Sequence, residues 1–101
     1  MSKDWRRTRS YRLWRVKVIR RDKVCQTCGS RLNRHAHHLN SGSYFKEERF
    51  DTENGICLCR NCHLGKFHGM FMGSSRKKTT KKDFDRFDRL YQSIVDDKDT
   101  T

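Results

Sequence analysis

Five cysteines and five histidines carry most of the chemistry open to this chain. Cys25-x-x-Cys28 and Cys59-x-x-Cys62 are two C-x2-C knuckles with 30 residues between the inner cysteines. Two such knuckles bring four thiolates to one tetrahedral Zn2+, a closed and therefore structural site without redox chemistry. The alternative for the same residues is a pair of disulfides. Cys57 is left over; by alternation it sits on a short strand as a small buried hydrophobe, with a spare ligand as the other reading. Between the knuckles lie His35-Ala36-His37-His38-Leu39 and Asn54-Gly55-Ile56, and His63 follows Cys62 directly. An imidazole, with an ordinary pKa of about 6.5, can accept a proton at neutral pH.

Elements must position these groups. The chain has 101 residues, enough for one small domain. Hydrophobic residues make up 33%, and with 6 glycines the apolar share stays below the ~45–50% of an average domain. So thin a core calls for a staple, and the knuckles supply one. The sequence has no proline, so breaks are read from Gly, Ser, Asn and Asp. A helix is predicted over 10–21, with Leu13, Val16 and Ile19 as apolar steps. A Cys-rich knuckle over 24–31 turns at Gly29-Ser30. Strands are predicted over 36–39 and 56–58, separated by loop chemistry at 40–43 and a turn at Glu53-Asn54-Gly55. A short helix from 60 to about 68 should stop at Gly69. Gly73-Ser74-Ser75 then opens a basic linker. Thr80 with Asp83 resembles a capping box, with Asp in place of the usual Glu or Gln. Phe84, Phe87, Tyr91 and Ile94 recur at helical spacing with Leu90 beside them, a stripe that is either core or a partner surface. The expected fold class is small α+β, in one domain over 1–101. Within it, 1–23 is a basic arm and helix, 24–69 the core, 70–82 the linker, 83–95 an amphipathic helix and 96–101 a frayed tail.

The order His-His … Asn-Gly … Cys-x-x-Cys-His resembles the HNH endonuclease family, the ββα-metal nucleases. The resemblance covers 14–68, including Arg21-Asp22, Cys25-x-x-Cys28-Gly29 and the Arg49-Phe50-Asp51 approach to Asn54. It implies a ββα-metal core stapled by the four-cysteine zinc and flanked by a helix on either side. It also implies catalytic roles for His38, Asn54 and His63: His38 as general base, His37 and His63 as ligands of one divalent ion, and Asn54 as the residue that ties the strands and orients the base. Strand alternation turns His37 and His38 to opposite faces, so the two roles call for a twisted or bulged hairpin. Many relatives carry Asp where His37 stands. Two imidazoles make a softer site, so Mn2+, Co2+ or Ni2+ would serve beside Mg2+. Colicin-like members place a further His four residues after the helical ligand. Here that position is Phe67, while His68 lies one residue on, about 140° away on an α-helix. His68 is a candidate ligand or phosphate contact, otherwise a surface residue. His35 is a further candidate, otherwise a solvent-facing strand residue.

Charge identifies the partner. The net charge is +12; residues 1–34 hold 12 basic and 2 acidic side chains, while 35–68 are balanced. Basic arms around a neutral middle suit a phosphate backbone, whose neutralisation releases counterions. Trp5, Tyr11 and Trp14 interleave the arginines, which also points to nucleic acid. The candidate DNA contacts are Arg6, Arg7, Arg9, Arg12 and Arg15 upstream, and Arg76, Lys77, Lys78, Lys81 and Lys82 downstream. No apolar run is long enough to span a membrane, and no signal-peptide stretch follows the basic start. An intracellular protein is expected, in the cytoplasm of a bacterial cell or phage host. The expected function is a metal-dependent DNA endonuclease with structural Zn2+ and catalytic Mg2+ or Mn2+. The alternatives are a non-catalytic zinc-ribbon DNA-binding module and a DNA-packaging accessory factor of phage, which would meet packaging proteins. A homodimer through the C-terminal helix is a further expectation.

Overall fold

Thr8 starts the first helix, its hydroxyl accepting the Tyr11 N–H at 3.2 Å. In the computed structural model, which describes residues 4–73 and 78–99, α1 runs Arg9–Asp22 behind a single 3-10 turn at Trp5–Arg7. Strands β1 (Arg34–His38) and β2 (Gly55–Cys59) pair antiparallel. The register is unbroken, from Arg34 opposite Cys59 to His38 opposite Gly55. Both strands start earlier than the sequence pattern places them, and β1 ends at His38 instead of Leu39. An 11-residue π-helix, Asn61–Phe71, follows β2, and α2 covers Lys81–Asp99. This is a small α+β fold, and no helix among the described residues is long and apolar enough to cross a membrane.

Alternation along β1 gives the sheet two different faces. Ala36 packs with Trp14 and Val18 of α1. Gly55 is needed on that face, because a Cβ there would lie 2.6 Å from Val18 and 2.7 Å from Trp14. The other face carries Leu58 into the main core, with Cys25, Cys59, Cys62, Phe67, Phe84 and Phe87. Burying several aromatic rings together is how so short a chain assembles a core. Arg21 and Asp22 lock α1 to β2. The Arg21 guanidinium donates to the Thr52 and Gly55 carbonyls, each at 2.7 Å, and Asp22 accepts the Cys57 N–H at 2.9 Å.

Several expectations need correction. The helix after Cys59 does not stop at Gly69. A Cβ at Gly69 would sit 2.8 Å from the Leu64 carbonyl oxygen, so the glycine serves the wide π turn instead of ending the helix. Lys81 and Lys82 belong to α2 and not to a linker. Their helix opens as the capping pattern implies, with the Asp83 carboxylate accepting the Thr80 N–H at 2.9 Å. It also continues to Asp99, past the predicted frayed start at Asp96. Phe84 and Phe87 pack inward with Phe67, which makes them core, while Leu90 is 53% exposed. Arg76, Lys77 and the side chain of Ile94 lie outside the described residues.

Candidate functional site

The knuckles converge. The sulfurs of Cys25, Cys28, Cys59 and Cys62 all lie within 4.8 Å of one another, a donor set suited to a metal such as zinc. All five cysteines are free thiols. Three of the four are buried and Cys28 is exposed. Burial pushes the Cys25 thiol up, but the N–H groups of Cys28, Cys59 and Thr27 outweigh it and hold Cys25 at about 7. Burial pushes Cys28 and Cys62 up. Cys57 lies outside the tetrad; burial and the Asp22 charge push it up to about 11, as suits a neutral core thiol.

A second cluster forms on the sheet face away from α1. The ring nitrogens of His37, His63 and His68 also fall within 4.8 Å of one another, with ring centroids 4.9 to 5.2 Å apart. The π-helix explains His68. Its i→i+5 hydrogen bonds widen the turn, so positions five apart lie much closer to one face than they do on an α-helix. The Met72 N–H donates to the Phe67 carbonyl at 2.8 Å in this pattern. His68 therefore joins His63 instead of standing about 140° away as an α-helix would place it. Phe67, four residues after His63, turns into the core against His37, with ring centroids 4.8 Å apart.

Two ring nitrogens of this cluster are buried and unpaired. His37 is 2% exposed, and its Nε2 and the Nδ1 of His68 are buried with no hydrogen-bond partner. Leaving two such nitrogens unpaired costs on the order of 1–3 kcal/mol each unless something accepts their lone pairs. Burial holds His37 and His68 below the ordinary imidazole value, and burial with the His68, His35 and His38 charges holds His63 at about 3. All three are neutral near pH 7, the state a metal requires of its ligands. The cluster thus fits one divalent ion on imidazole nitrogen.

His38 stands on the opposite face. Its ring stacks on Trp14 at 3.9 Å and 9°, with Trp5 edge-on at 5.3 Å. Its Nε2 is 2.8 Å from the Arg49 carbonyl. A carbonyl only accepts, so the hydrogen is assigned to Nε2 and the lone pair to Nδ1. Burial, with Arg6 and Arg49 adding to it, holds His38 at about 4, well below the unperturbed value. Asn54 does not line the cleft; it holds the loop that supplies Arg49. Its Oδ1 accepts the Asn40 N–H at 2.8 Å, and its Nδ2 donates to the Asn40 and Glu48 carbonyls.

The two groups of histidines meet with no bulge in the hairpin, one of the two distortions expected from alternation. Ala36, His37 and His38, three consecutive β1 residues, line one cleft of about 540 Å3 together with His63 and His68. The cleft thus takes side chains from both faces of β1. Arg6 is on its wall, with its guanidinium over Trp5 at 4.2 Å. Arg7, Arg9, Arg12 and Arg15 are exposed on the 3-10 turn and α1. Lys78 is exposed beside Phe45, and Lys81 and Lys82 are exposed at the start of α2. Trp14, read as an aromatic contact for nucleic acid, is instead 2% exposed beneath His38. Trp5, Trp14 and Arg49 are the supports of His38 that pattern reading missed. The bond between His35 and His63 was missed likewise, since no local spacing encodes either.

Comparison with protein-family models, curated proteins and solved structures matched nothing to this chain.

Proposed function

We propose that the chain is a metal-dependent DNA endonuclease of the HNH type, with a ββα-metal core formed by β1, β2 and the π-helix. The observation that carries this reading is one cleft that joins two kinds of histidine: a cluster with two orphaned buried nitrogens, and His38 with an oriented free lone pair. His37, His63 and His68 would hold one divalent ion, Mg2+ or Mn2+, with Co2+ or Ni2+ also suited to imidazole. Such an ion supplies charge neutralisation at the phosphate and at the leaving 3′ oxygen. His38 Nδ1 takes the proton of the attacking water. The water oxygen bonds to phosphorus as the P–O3′ bond breaks, and the departing 3′ oxygen takes a proton from solvent, leaving 5′-phosphate and 3′-hydroxyl ends. Asn54 acts through the loop, by keeping the Arg49 carbonyl on His38. The cysteine tetrad takes Zn2+ as a structural ion, and Arg6 on the cleft wall with the exposed cations of α1 and α2 meets the phosphate backbone. A zinc-ribbon binding module would have no use for the orphaned imidazoles.

Plasmid nicking tests this. Supercoiled DNA should be opened with Mg2+ or Mn2+ present, stop opening after EDTA, and resume on adding the ion back without added zinc. Cleavage that persists through prolonged chelation, or none with any divalent ion, would overturn the assignment. Binding gives a separate expectation. With about six phosphate contacts, log affinity should fall against log salt with a slope of roughly −5. Changing Arg9, Arg12 and Arg15 together to glutamine should flatten that slope by roughly 3, whatever the DNA sequence. An unchanged slope in a salt titration would remove α1 from the interface.

A further inference from the structure

His35 lies two residues before His37, on the same face of β1. Its Nδ1 stands 3.0 Å from the Nδ1 of His63, with ring centroids 5.3 Å apart at 89°. At that distance one nitrogen carries the hydrogen and the other offers its lone pair. With Nδ1 engaged in this bond, His63 has only Nε2 left for its cluster with His37 and His68. A neutral His63 whose Nε2 lone pair is free must carry its hydrogen on Nδ1. It therefore donates, and His35 accepts.

We propose that His35 is a positioning residue: by accepting the Nδ1 hydrogen of His63, it fixes the tautomer and ring angle that turn the Nε2 lone pair toward His37 and His68. Metal-bound histidines generally need such a partner on the second nitrogen, and losing it typically costs about 10–100-fold in metal affinity. Both the direction of the His63–His35 bond and the value of His35 for metal binding rest on reading the cleft as a divalent-ion site; the 3.0 Å contact itself does not.

Three chains decide it: wild type, His35→Phe, and His35→Asn. Phe keeps a ring of similar size without a hydrogen-bonding nitrogen. Asn can place its Oδ1 near the position of Nδ1 as a substitute acceptor. In zinc-loaded protein free of other divalent ions, long-range 1H–15N imidazole spectra should show His63 protonated on Nδ1 and His35 on Nε2. His35→Phe should release His63 into a mixture of tautomers, and His35→Asn should restore the single one. Mn2+ titration followed by electron paramagnetic resonance should then show affinity about 10–100-fold weaker in His35→Phe and largely recovered in His35→Asn. Zinc content should be equal in all three. A His35→Phe chain that keeps both the His63 tautomer and the Mn2+ affinity would overturn the proposal. So would Mn2+ broadening His35 as strongly as His63, with no rescue by Asn, since His35 would then be a ligand itself. If wild type binds no Mn2+ in the cleft, the reading of the cleft as a metal site fails, and the spectra still decide the His35–His63 bond.

Discussion

Changing Cys28 to serine is expected to leave a chain that no longer folds, although the replaced side chain is exposed and fills no part of the core. At an ordinary surface position this substitution would move stability by less than about 0.5 kcal/mol. The prediction departs from that because Cys28 closes the tetrad, with its sulfur 3.6 Å from that of Cys59. Structural zinc contributes roughly 10–16 kcal/mol of apparent binding free energy in small domains. A domain of this size has a net stability of only about 5–15 kcal/mol. Losing one of four thiolates removes enough of the first quantity to cancel the second. The tetrad also connects the segment after α1 to the end of β2 and the start of the π-helix. Cys25, Cys59 and Cys62 belong to the main core, so its collapse would follow. Cys57→Ala is the control: Cys57 is fully buried but outside the tetrad, and should cost on the order of 1 kcal/mol. Elemental analysis should find one zinc per wild-type chain, and thermal unfolding should rank Cys28→Ser far below Cys57→Ala. A zinc-free Cys28→Ser chain that melts with the wild type would show that the sulfurs meet without holding a metal.

The sequence made some of this legible and hid the rest for identifiable reasons. The tetrad was visible because C-x2-C spacing is local and each knuckle forms within a single turn. The Thr80–Asp83 start of α2 was visible for the same reason. The place of His68 was hidden because Leu64, Phe67 and Phe71 recur at α-helical spacing. Tertiary packing then widens the helix to place Phe67 in the core and His68 beside His63. The supports of His38 were hidden because they are distant in sequence: Trp14 lies 24 positions before it and Arg49 lies 11 after it. Alternation was right that His37 and His38 face opposite ways. Of the twisted or bulged hairpin expected, the bulge is absent, since the register is unbroken and His37 and His38 still line a single cleft.

Replacing His38 with glutamine should then lower plasmid cleavage by about 10²–10⁴-fold while DNA binding and zinc content stay as in the wild type. Alanine is the weaker choice. It would leave a gap between Trp14 and Trp5 and an unpaired Arg49 carbonyl, so that lost activity could reflect a moved loop. Glutamine can set its amide nitrogen near the position of Nε2 and keep donating to that carbonyl, now 2.8 Å from the ring. What it lacks is the basic lone pair left on Nδ1. The comparison therefore separates taking a proton from supporting a loop. His38→Phe completes the set, because it restores the aromatic stack on Trp14 and removes both nitrogens. If the stack alone mattered, Phe would cleave like the wild type and Gln would not; if the proton matters, both fail equally. Single-turnover cleavage of pre-bound DNA is the measurement to use, because it excludes differences in binding. A Gln chain that cleaves at the wild-type rate would mean that the proton goes elsewhere and that His38 serves only to hold the Arg49 carbonyl.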